Sequence, residues 1–329
     1  MALQKINGQW IHYEDTGGDL PPLVLAHGLL MDGEMFAPQL EALSSRCRIV
    51  TWDARCHGQT ETTDEPFSYG DLAEDLRGLL DHLGIARAVI GGMSEGGFVA
   101  LRFALNHPER VAALILMSTQ AGAEDPEKVA LYGSMLDVWE QDGLNDQLAE
   151  TIAAIVLGND WPGRFEWISK WRHQPRSLLR PAFNALATRE DIHDRLGEIK
   201  APAAVIHGTA DAAIDMELAQ RLCSGLANCW QLIRIEGGGH ASNLTHPTPV
   251  NEAIERFLVE LDFGTPRSAE RRGAGRRSEV MRRVGERRDP VRASAGRRIL
   301  FPVERRMGER RDHERRQSWR ALSSSSARF

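Results

Sequence analysis

The chain has 329 residues, of which 42% are hydrophobic and 6% aromatic, and its formal net charge is −6. This apolar content is enough to bury a large core, which excludes a chain that is disordered throughout. No run approaches the roughly 18 consecutive apolar residues of a membrane span, and residues 1–10 lack the basic and apolar regions of a secretory signal, so neither is expected.

Residues 1–121 alternate strand-like and helix-like segments. Short, continuously apolar runs are typical of strands buried on both faces, and helices between them favour a parallel sheet covered on both sides. The predicted strands are Trp10–Glu14, Leu23–Ala26, Arg48–Trp52, Ala88–Gly91 and Ala113–Met117, and the predicted helices are Asp71–Leu83 and Gly96–Asn106.

Residues 122–198 interrupt this alternation and carry four of the eight tryptophans. Helical patterns cover Pro126–Gln141, Asn145–Leu157, Phe165–Trp171, Leu178–Thr188 and Asp191–Ile199. The alternation resumes in residues 199–265 with strands at Ala203–His207 and Gln231–Ile235 and a closing helix at Val250–Leu261. We therefore predict a core in two parts, 1–121 and 199–265, with 122–198 as a helical cap over the active edge of the sheet.

Charge divides the chain at about residue 266. Residues 1–265 carry 20 Lys and Arg against 38 Asp and Glu, whereas residues 266–329 carry 20 Arg, no Lys and 8 Asp and Glu. The second region shows no apolar periodicity and is predicted to be a disordered, Arg-rich tail. A solvated extension is the simplest interpretation; weak polyanion binding or docking on the acidic core are the alternatives.

The four cysteines, Cys47, Cys56, Cys223 and Cys229, are sparse and form no CxxC pair. They predict reduced thiols in a cytoplasmic protein and neither a disulfide framework nor a zinc site. The sequence also lacks a GxGxxG motif after the first strand, a P-loop lysine and an HExxH motif, so no cofactor or metal is expected.

The sequence Gly92-Met93-Ser94-Glu95-Gly96-Gly97 follows a predicted strand and opens a predicted helix. Small residues around a serine in this context are typical of a nucleophile elbow, which lifts the hydroxyl clear of the sheet. The alternative is a glycine-rich turn with an incidental serine. Because serine is a weak nucleophile, Ser94 would need a base and an acid that orients the base.

Acidic and histidine residues follow the two later strands. The spacing assigns Asp211 as the orienting acid and His240 as the base, since functional groups gather beyond the carboxyl ends of such strands. Asp215 is the alternative acid and His246 the alternative base. His207 is interpreted as a packing residue at a strand end.

The predicted oxyanion hole consists of the backbone N–H groups of Leu29 and Glu95, with Gly28 allowing a close approach. The Glu95 side chain is expected either to be stabilised by the helix dipole or to face the cap and meet Arg172 or Arg176. Candidate pocket residues are Met31, Met93, Trp161 and Trp167, although most cap aromatics could equally form the cap's own core.

These residues together resemble the capped carboxylesterase and enol-lactonase members of the α/β-hydrolase fold. The matching segments are 27–29, 53–58, 92–97, 107–111, 208–211 and 239–240, and the resemblance covers about residues 5–262. It implies an eight-stranded, mostly parallel sheet with an inserted cap, with Ser94, Asp211 and His240 as the catalytic triad. Cys56 stands where such families usually have a glycine, which puts the local turn in doubt.

The resulting functional hypothesis is a serine hydrolase that cleaves carboxylic esters of small to medium, largely apolar substrates. A lactonase or a C–C bond hydrolase would use the same triad, although a C–C hydrolase would need more polar residues in the cap. A binding module that has lost turnover, or a nucleic-acid-associated protein acting through the tail, are the alternatives from other classes. A monomer or a homodimer is expected.

Overall fold

The computed structural model describes residues 2–174 and 179–263, in which eight strands form one sheet. The strands are β1 (Ala2–Ile6), β2 (Gln9–Asp15), β3 (Pro22–Ala26), β4 (Arg48–Trp52), β5 (Ala88–Met93), β6 (Val111–Met117), β7 (Ala203–Gly208) and β8 (Cys229–Ile235). Their order is β1-β2-β4-β3-β5-β6-β7-β8. Strand β2 pairs antiparallel with both β1 and β4, and all the other neighbouring strands pair parallel, which confirms the predicted fold class.

Helices cover both faces of this sheet. They are α1 (Ala37–Leu43), α2 (Tyr69–His82), α3 (Glu95–Asn106), α4 (Pro126–Asp142), α5 (Asp146–Val156), α6 (Arg164–His173), α7 (Leu179–Ala187), α8 (Met216–Gly225), α9 (Ser242–Thr245) and α10 (Pro247–Glu260). The helix predicted at Asp191–Ile199 is instead a short 3₁₀ helix, His193–Glu198. In the described part of the chain, none of the helices has the length and apolar character needed to cross a membrane.

The central strand β5 shows why the strands read as continuous apolar runs. All six of its residues are buried. Val89 packs into the layer that contains residues of α10, whereas Ile90 packs into the layer that contains residues of α2 and α3. Alternate side chains of a strand point to opposite faces, so a sheet covered on both faces needs apolar residues at every position.

Helices α4 to α7 lie between β6 and β7, and we call them the helical insertion. Their buried residues include Leu136, Ile152 and Trp171. These residues pack in the same apolar cluster as Met31, in the loop after β3, and Met93, at the end of β5. The insertion therefore shares a core with the carboxyl ends of the strands. The boundaries 122–198 of a separate cap domain stay a prediction.

The prediction of four reduced thiols is wrong for two of them. Cys223 of α8 and Cys229 of β8 form a disulfide, with their Cα atoms 5.4 Å apart. The chain turns back on itself between α8 and β8, a proximity that a spacing of six residues does not reveal. Cys47 and Cys56 are free and buried. The predicted tail, residues 266–329, lies outside the described residues.

Candidate active site

Ser94 lies in a tight turn between β5 and α3 with φ 51° and ψ −111°, a backbone conformation that side chains rarely adopt. Two hydrogen bonds, with residues at the end of β6 and just after it, hold this turn. The N–H of Ser94 donates to the Met117 carbonyl at 2.8 Å, and the Thr119 hydroxyl donates to the Ser94 carbonyl at 2.8 Å. A Cβ on Gly96 would lie 2.0 Å from the Ala26 carbonyl oxygen, so only glycine allows α3 to begin here. These hydrogen bonds and the close packing at Gly96 thus maintain the strained backbone conformation of Ser94.

The structure brings Ser94, His240 and Asp211 into one chain of hydrogen bonds. The Nε2 atom of His240 lies 3.0 Å from Ser94 Oγ, and its Nδ1 atom lies 3.0 and 2.9 Å from the two carboxylate oxygens of Asp211. Because an ionised carboxylate can only accept, Nδ1 carries the proton and Nε2 is free to accept the serine proton.

Asp211 is fixed by the turn that follows β7. Its Oδ1 atom accepts bonds from the N–H groups of Ala213 at 2.9 Å and Ile214 at 3.0 Å. Burial opposes ionisation, but the charge and hydrogen bond of His240 outweigh it, and the pKa of Asp211 lies below its usual range. His207 donates from Nε2 to the Ile214 carbonyl at 2.8 Å, and burial lowers its pKa, so it is a neutral residue supporting this turn.

The alternative acid and base lie elsewhere. Asp215 precedes the first residue of α8. His246 precedes α10, and its Nδ1 atom lies 2.9 Å from the Thr245 hydroxyl. The hydrogen-bonded chain to Ser94 therefore runs through Asp211 and His240, and not through Asp215 or His246.

Leu29 and Glu95, the predicted oxyanion-hole residues, both border the cavity that contains Ser94. Gly28 makes this approach possible. A Cβ at that position would lie 2.7 Å from Met93 Sδ and 3.4 Å from Ser94 Cβ. The loop before Leu29 consequently packs directly on the elbow, which is the arrangement that two backbone donors for one oxyanion require.

Two buried histidines that the sequence did not assign hold this loop. His27 donates from Nδ1 to the Gly28 carbonyl at 2.8 Å and accepts at Nε2 from the Ala54 N–H at 2.9 Å. His57 accepts at Nε2 from the Leu30 N–H at 3.2 Å, and burial lowers the pKa of His57 to about 3. Both rings act as neutral connectors between the loops after β3 and β4. The available sequence signal was that His27 and His57 lie in the matching segments 27–29 and 53–58.

The Glu95 side chain does not behave as predicted. It is 1% exposed, and its Oε1 atom accepts a hydrogen bond from the Tyr69 hydroxyl at 3.1 Å. Burial raises the pKa of Glu95 to about 8, which outweighs the stabilisation expected at a helix start. Arg172 instead pairs with an aspartate of α5, and Arg176 lies outside the described residues.

A cavity of about 140 Å³ opens at Ser94 and His240. Of the four candidate pocket residues, Met31 and Met93 line this cavity, whereas Trp161 and Trp167 do not. The Trp161 ring lies over Gly163, and the Trp167 ring lies 4.4 Å from Lys170 Nζ. Other insertion residues take their place on the wall, including Trp139, Leu136, Ile152, Leu179 and Phe183. In the ranges 2–174 and 179–263, no group of three or more His, Cys, Asp or Glu could hold a metal ion.

Two residues of α6 connect the insertion to the loop beside the elbow. Trp171 donates from Nε1 to the Leu30 carbonyl at 2.8 Å. Lys170 contacts Asp32 at 2.8 Å and Glu34 at 2.7 Å. No sequence signal indicated either role, because the partners are separated by more than a hundred residues.

The comparisons with known proteins agree with this geometry. Residues 21–247 match a family described as the alpha/beta hydrolase fold. The chain is 28% identical to a protein of Caulobacter vibrioides named putative carbamate hydrolase RutD, over 78% of this chain and 98% of that protein. A thermophilic esterase from Thermogutta terrifontis superposes with a TM-score of 0.72 and 27% identity, over 79% of this chain and 99% of that one. The enol-lactonase from Burkholderia xenovorans LB400 superposes with a TM-score of 0.71 and 26% identity, over 78% and 100%.

Proposed function

The chain belongs to the α/β-hydrolase family, a family of hydrolytic enzymes, and from that premise we propose that it cleaves carboxylic esters of small to medium, largely apolar substrates through an acyl-enzyme. One observation carries the proposal. The hydrogen-bonded chain Ser94–His240–Asp211 ends at a serine hydroxyl that opens onto a cavity lined mostly by apolar side chains.

The first step is attack of Ser94 Oγ on the ester carbonyl. The serine proton passes to His240 Nε2, which lies 3.0 Å away. Asp211 keeps the Nδ1 proton in place and stabilises the imidazolium that forms. Since Asp211 is held by two backbone N–H groups, the imidazole needs little reorganisation as the proton moves.

The negative charge on the tetrahedral intermediate is accepted by the N–H groups of Leu29 and Glu95, assisted by the positive end of the α3 dipole. The intermediate collapses when His240 protonates the leaving alcohol. Water then attacks the acyl-enzyme with His240 again as the base, and the carboxylic acid is released.

The cavity and the relatives support this substrate class. A volume of about 140 Å³ with an apolar wall suits a short to medium acyl chain. The Thermogutta esterase supports an ester substrate. The enol-lactonase and the putative carbamate hydrolase support cyclic esters and carbamates as alternatives, because both would follow the same steps.

The test is hydrolysis of p-nitrophenyl esters from acetate to decanoate by the wild type and by Ser94→Ala. The matched control is Ser134→Ala, which removes an exposed serine hydroxyl on α4. We expect turnover by the wild type and the control, and background rates for Ser94→Ala.

An organophosphonate provides a second readout that does not depend on the substrate. Labelling of Ser94 without ester turnover would indicate an activated serine whose substrate is a lactone or a carbamate. Absence of both labelling and turnover would contradict a catalytic Ser94 and favour a binding module on this fold.

A further inference from the structure

The cavity at Ser94 has a polar corner that the reaction above does not use. Among the residues that line it, Glu124, just before α4, and Tyr132, on α4, carry polar side chains that belong neither to the elbow nor to the triad. Their neighbours on the wall are apolar, as Met135 and Ile214 illustrate. A few polar groups in an otherwise apolar pocket are what usually fix the orientation and the identity of a ligand.

Helix α4 is held against the turn that contains the triad acid. Lys128 donates from Nζ to the Ala213 carbonyl at 2.7 Å, and the Ala213 N–H donates to Asp211 at 2.9 Å. Tyr132 lies four residues after Lys128 and therefore on the same face of the helix. The negative charges of Glu124 and Asp211 both act on its phenol. The Tyr132 side chain thus faces the Asp211 end of the cavity.

The hydroxyl of Tyr132 is available to a substrate. In the described part of the chain it makes no hydrogen bond, and it is not one of the fully enclosed polar atoms that lack a partner. The side chain as a whole is partly exposed. Burial and the charges of Glu124 and Asp211 raise the pKa of the phenol, so it is neutral at neutral pH. A neutral phenol can both donate and accept a hydrogen bond.

The other polar group of this corner is an acceptor whose charge is offset. Arg189 donates from Nη1 to Glu124 Oε2 at 2.9 Å, and the Asp125 N–H donates to Glu124 Oε1 at 3.1 Å. Each carboxylate oxygen can still accept a further bond. The corner therefore combines a donor with acceptors, beside a carboxylate that is already paired with a cation. This combination suits a hydroxyl group better than an ammonium ion or a hydrocarbon.

We propose that Tyr132 is a specificity-determining residue whose hydroxyl binds a hydroxyl group carried by the alcohol part of the substrate. This inference rests on the proposed function and narrows its substrate class to monoesters of diols and related polyols, with an apolar acyl part. The alcohol side is favoured because the leaving oxygen must lie beside His240 Nε2 to receive its proton. Tyr132 faces the end of the cavity where Asp211, the partner of His240, is held.

The experiment compares 2-hydroxyethyl butyrate with propyl butyrate, whose alcohol parts have the same length and differ by a hydroxyl in place of a methyl group. The measured quantity is the ratio of their kcat/KM values, obtained by titrating the butyric acid released. The intrinsic reactivity of each ester cancels when this ratio is compared between variants. The variant is Tyr132→Phe, which removes only the hydroxyl. Tyr13→Phe is the matched control, because the Tyr13 hydroxyl, on β2, contacts His82 at 3.1 Å and lies outside the cavity.

We expect the hydroxyethyl-to-propyl ratio to fall about tenfold in Tyr132→Phe and to stay within about twofold of the wild type in Tyr13→Phe. Because the Tyr132 hydroxyl makes no hydrogen bond in the described part of the chain, its removal should leave the melting temperature unchanged. The melting temperature therefore serves as a second readout, which a structural role of this hydroxyl would lower.

Two results would overturn the inference. An unchanged ratio in Tyr132→Phe, including an equal loss of activity on both esters, would show that the hydroxyl does not bind the alcohol part. A clearly lower melting temperature or a failure of Tyr132→Phe to fold would indicate a structural role. Hydrolysis of propyl butyrate by the wild type would in either case leave the esterase proposal standing. Failure of the proposed function itself would be recognised separately, as no turnover of either ester by the wild type and no phosphonate labelling of Ser94, and the inference would fall with it.

Discussion

The carboxyl edge of the sheet and the helical insertion line the same cavity but are held in different ways. At the sheet edge, backbone bonds and buried side chains position the reacting groups, as in the Ser94 turn and the Asp211 turn. The insertion contacts the sheet through apolar packing and partly exposed ion pairs such as Lys170–Glu34. Exposed pairs contribute little, about 0–1 kcal/mol. The contrast indicates a rigid frame for the chemistry and a more adaptable wall for substrate choice.

The strongest test of the rigid frame is Asp211→Asn. The amide keeps the size of the side chain but cannot hold the Nδ1 proton of His240, so we expect kcat to fall about 10⁴-fold. Asp215→Asn, at the start of α8, is the control and should retain activity. Steady-state kinetics on the best p-nitrophenyl ester measures both. Loss of activity in Asp215→Asn with Asp211→Asn active would reverse the assignment.

The second prediction concerns the effect of the buried Glu95 on the pH dependence of the unfolding free energy. Burial raises the pKa of Glu95 from 4.5 to about 8, so between these values the folded state keeps a proton that the unfolded state releases. The unfolding free energy of the wild type should therefore fall, relative to Glu95→Gln, by about 1.4 kcal/mol per pH unit in this window. Urea unfolding at pH 5 and pH 8 measures the difference. Parallel pH profiles for the two proteins would show that Glu95 is ionised when folded.

The adaptable wall is tested by Phe183→Ala. Phe183 lines the cavity and is partly buried, so its removal should lengthen the acyl pocket and raise the decanoate-to-butyrate ratio of kcat/KM about tenfold. Phe165→Ala is the control, since its ring is 67% exposed on α6. An unchanged chain-length profile in Phe183→Ala would mean that the acyl group binds elsewhere.

The smallest expected effect lies where the two regions meet. Trp171→Phe removes the hydrogen bond to the Leu30 carbonyl and should lower the unfolding free energy by about 1 kcal/mol. Because Leu30 follows Leu29, a residue of the proposed oxyanion hole, kcat should fall about threefold with little change in KM. Trp161→Phe, outside the cavity wall, is the control. Equal kinetics for Trp171→Phe and Trp161→Phe would show that the hydrogen bond from the insertion to Leu30 does not influence the reaction.

The sequence alone located the residues of the sheet edge. Ser94, Asp211 and His240 each follow a strand of the sheet, and the carboxyl ends of parallel strands meet at one edge. The sequence also predicted an unusual turn at Cys56, which stands where such families usually have a glycine. Cys56 indeed has φ 66°, and its thiol contacts the Thr63 carbonyl at 3.5 Å. Such features depend on local patterns of glycine and apolar residues, which a single chain displays directly.

Only the tertiary structure decided the cavity wall, the state of Glu95 and the Cys223–Cys229 disulfide. The tryptophans of the insertion could not be sorted by sequence, because an aromatic ring in a core and one in a pocket have the same local pattern. The pKa of Glu95 is raised because elements distant in sequence, among them α2 with Tyr69, bury its side chain away from water. Local backbone preferences determine where a strand or an elbow forms, whereas burial and charge depend on which distant segments pack together.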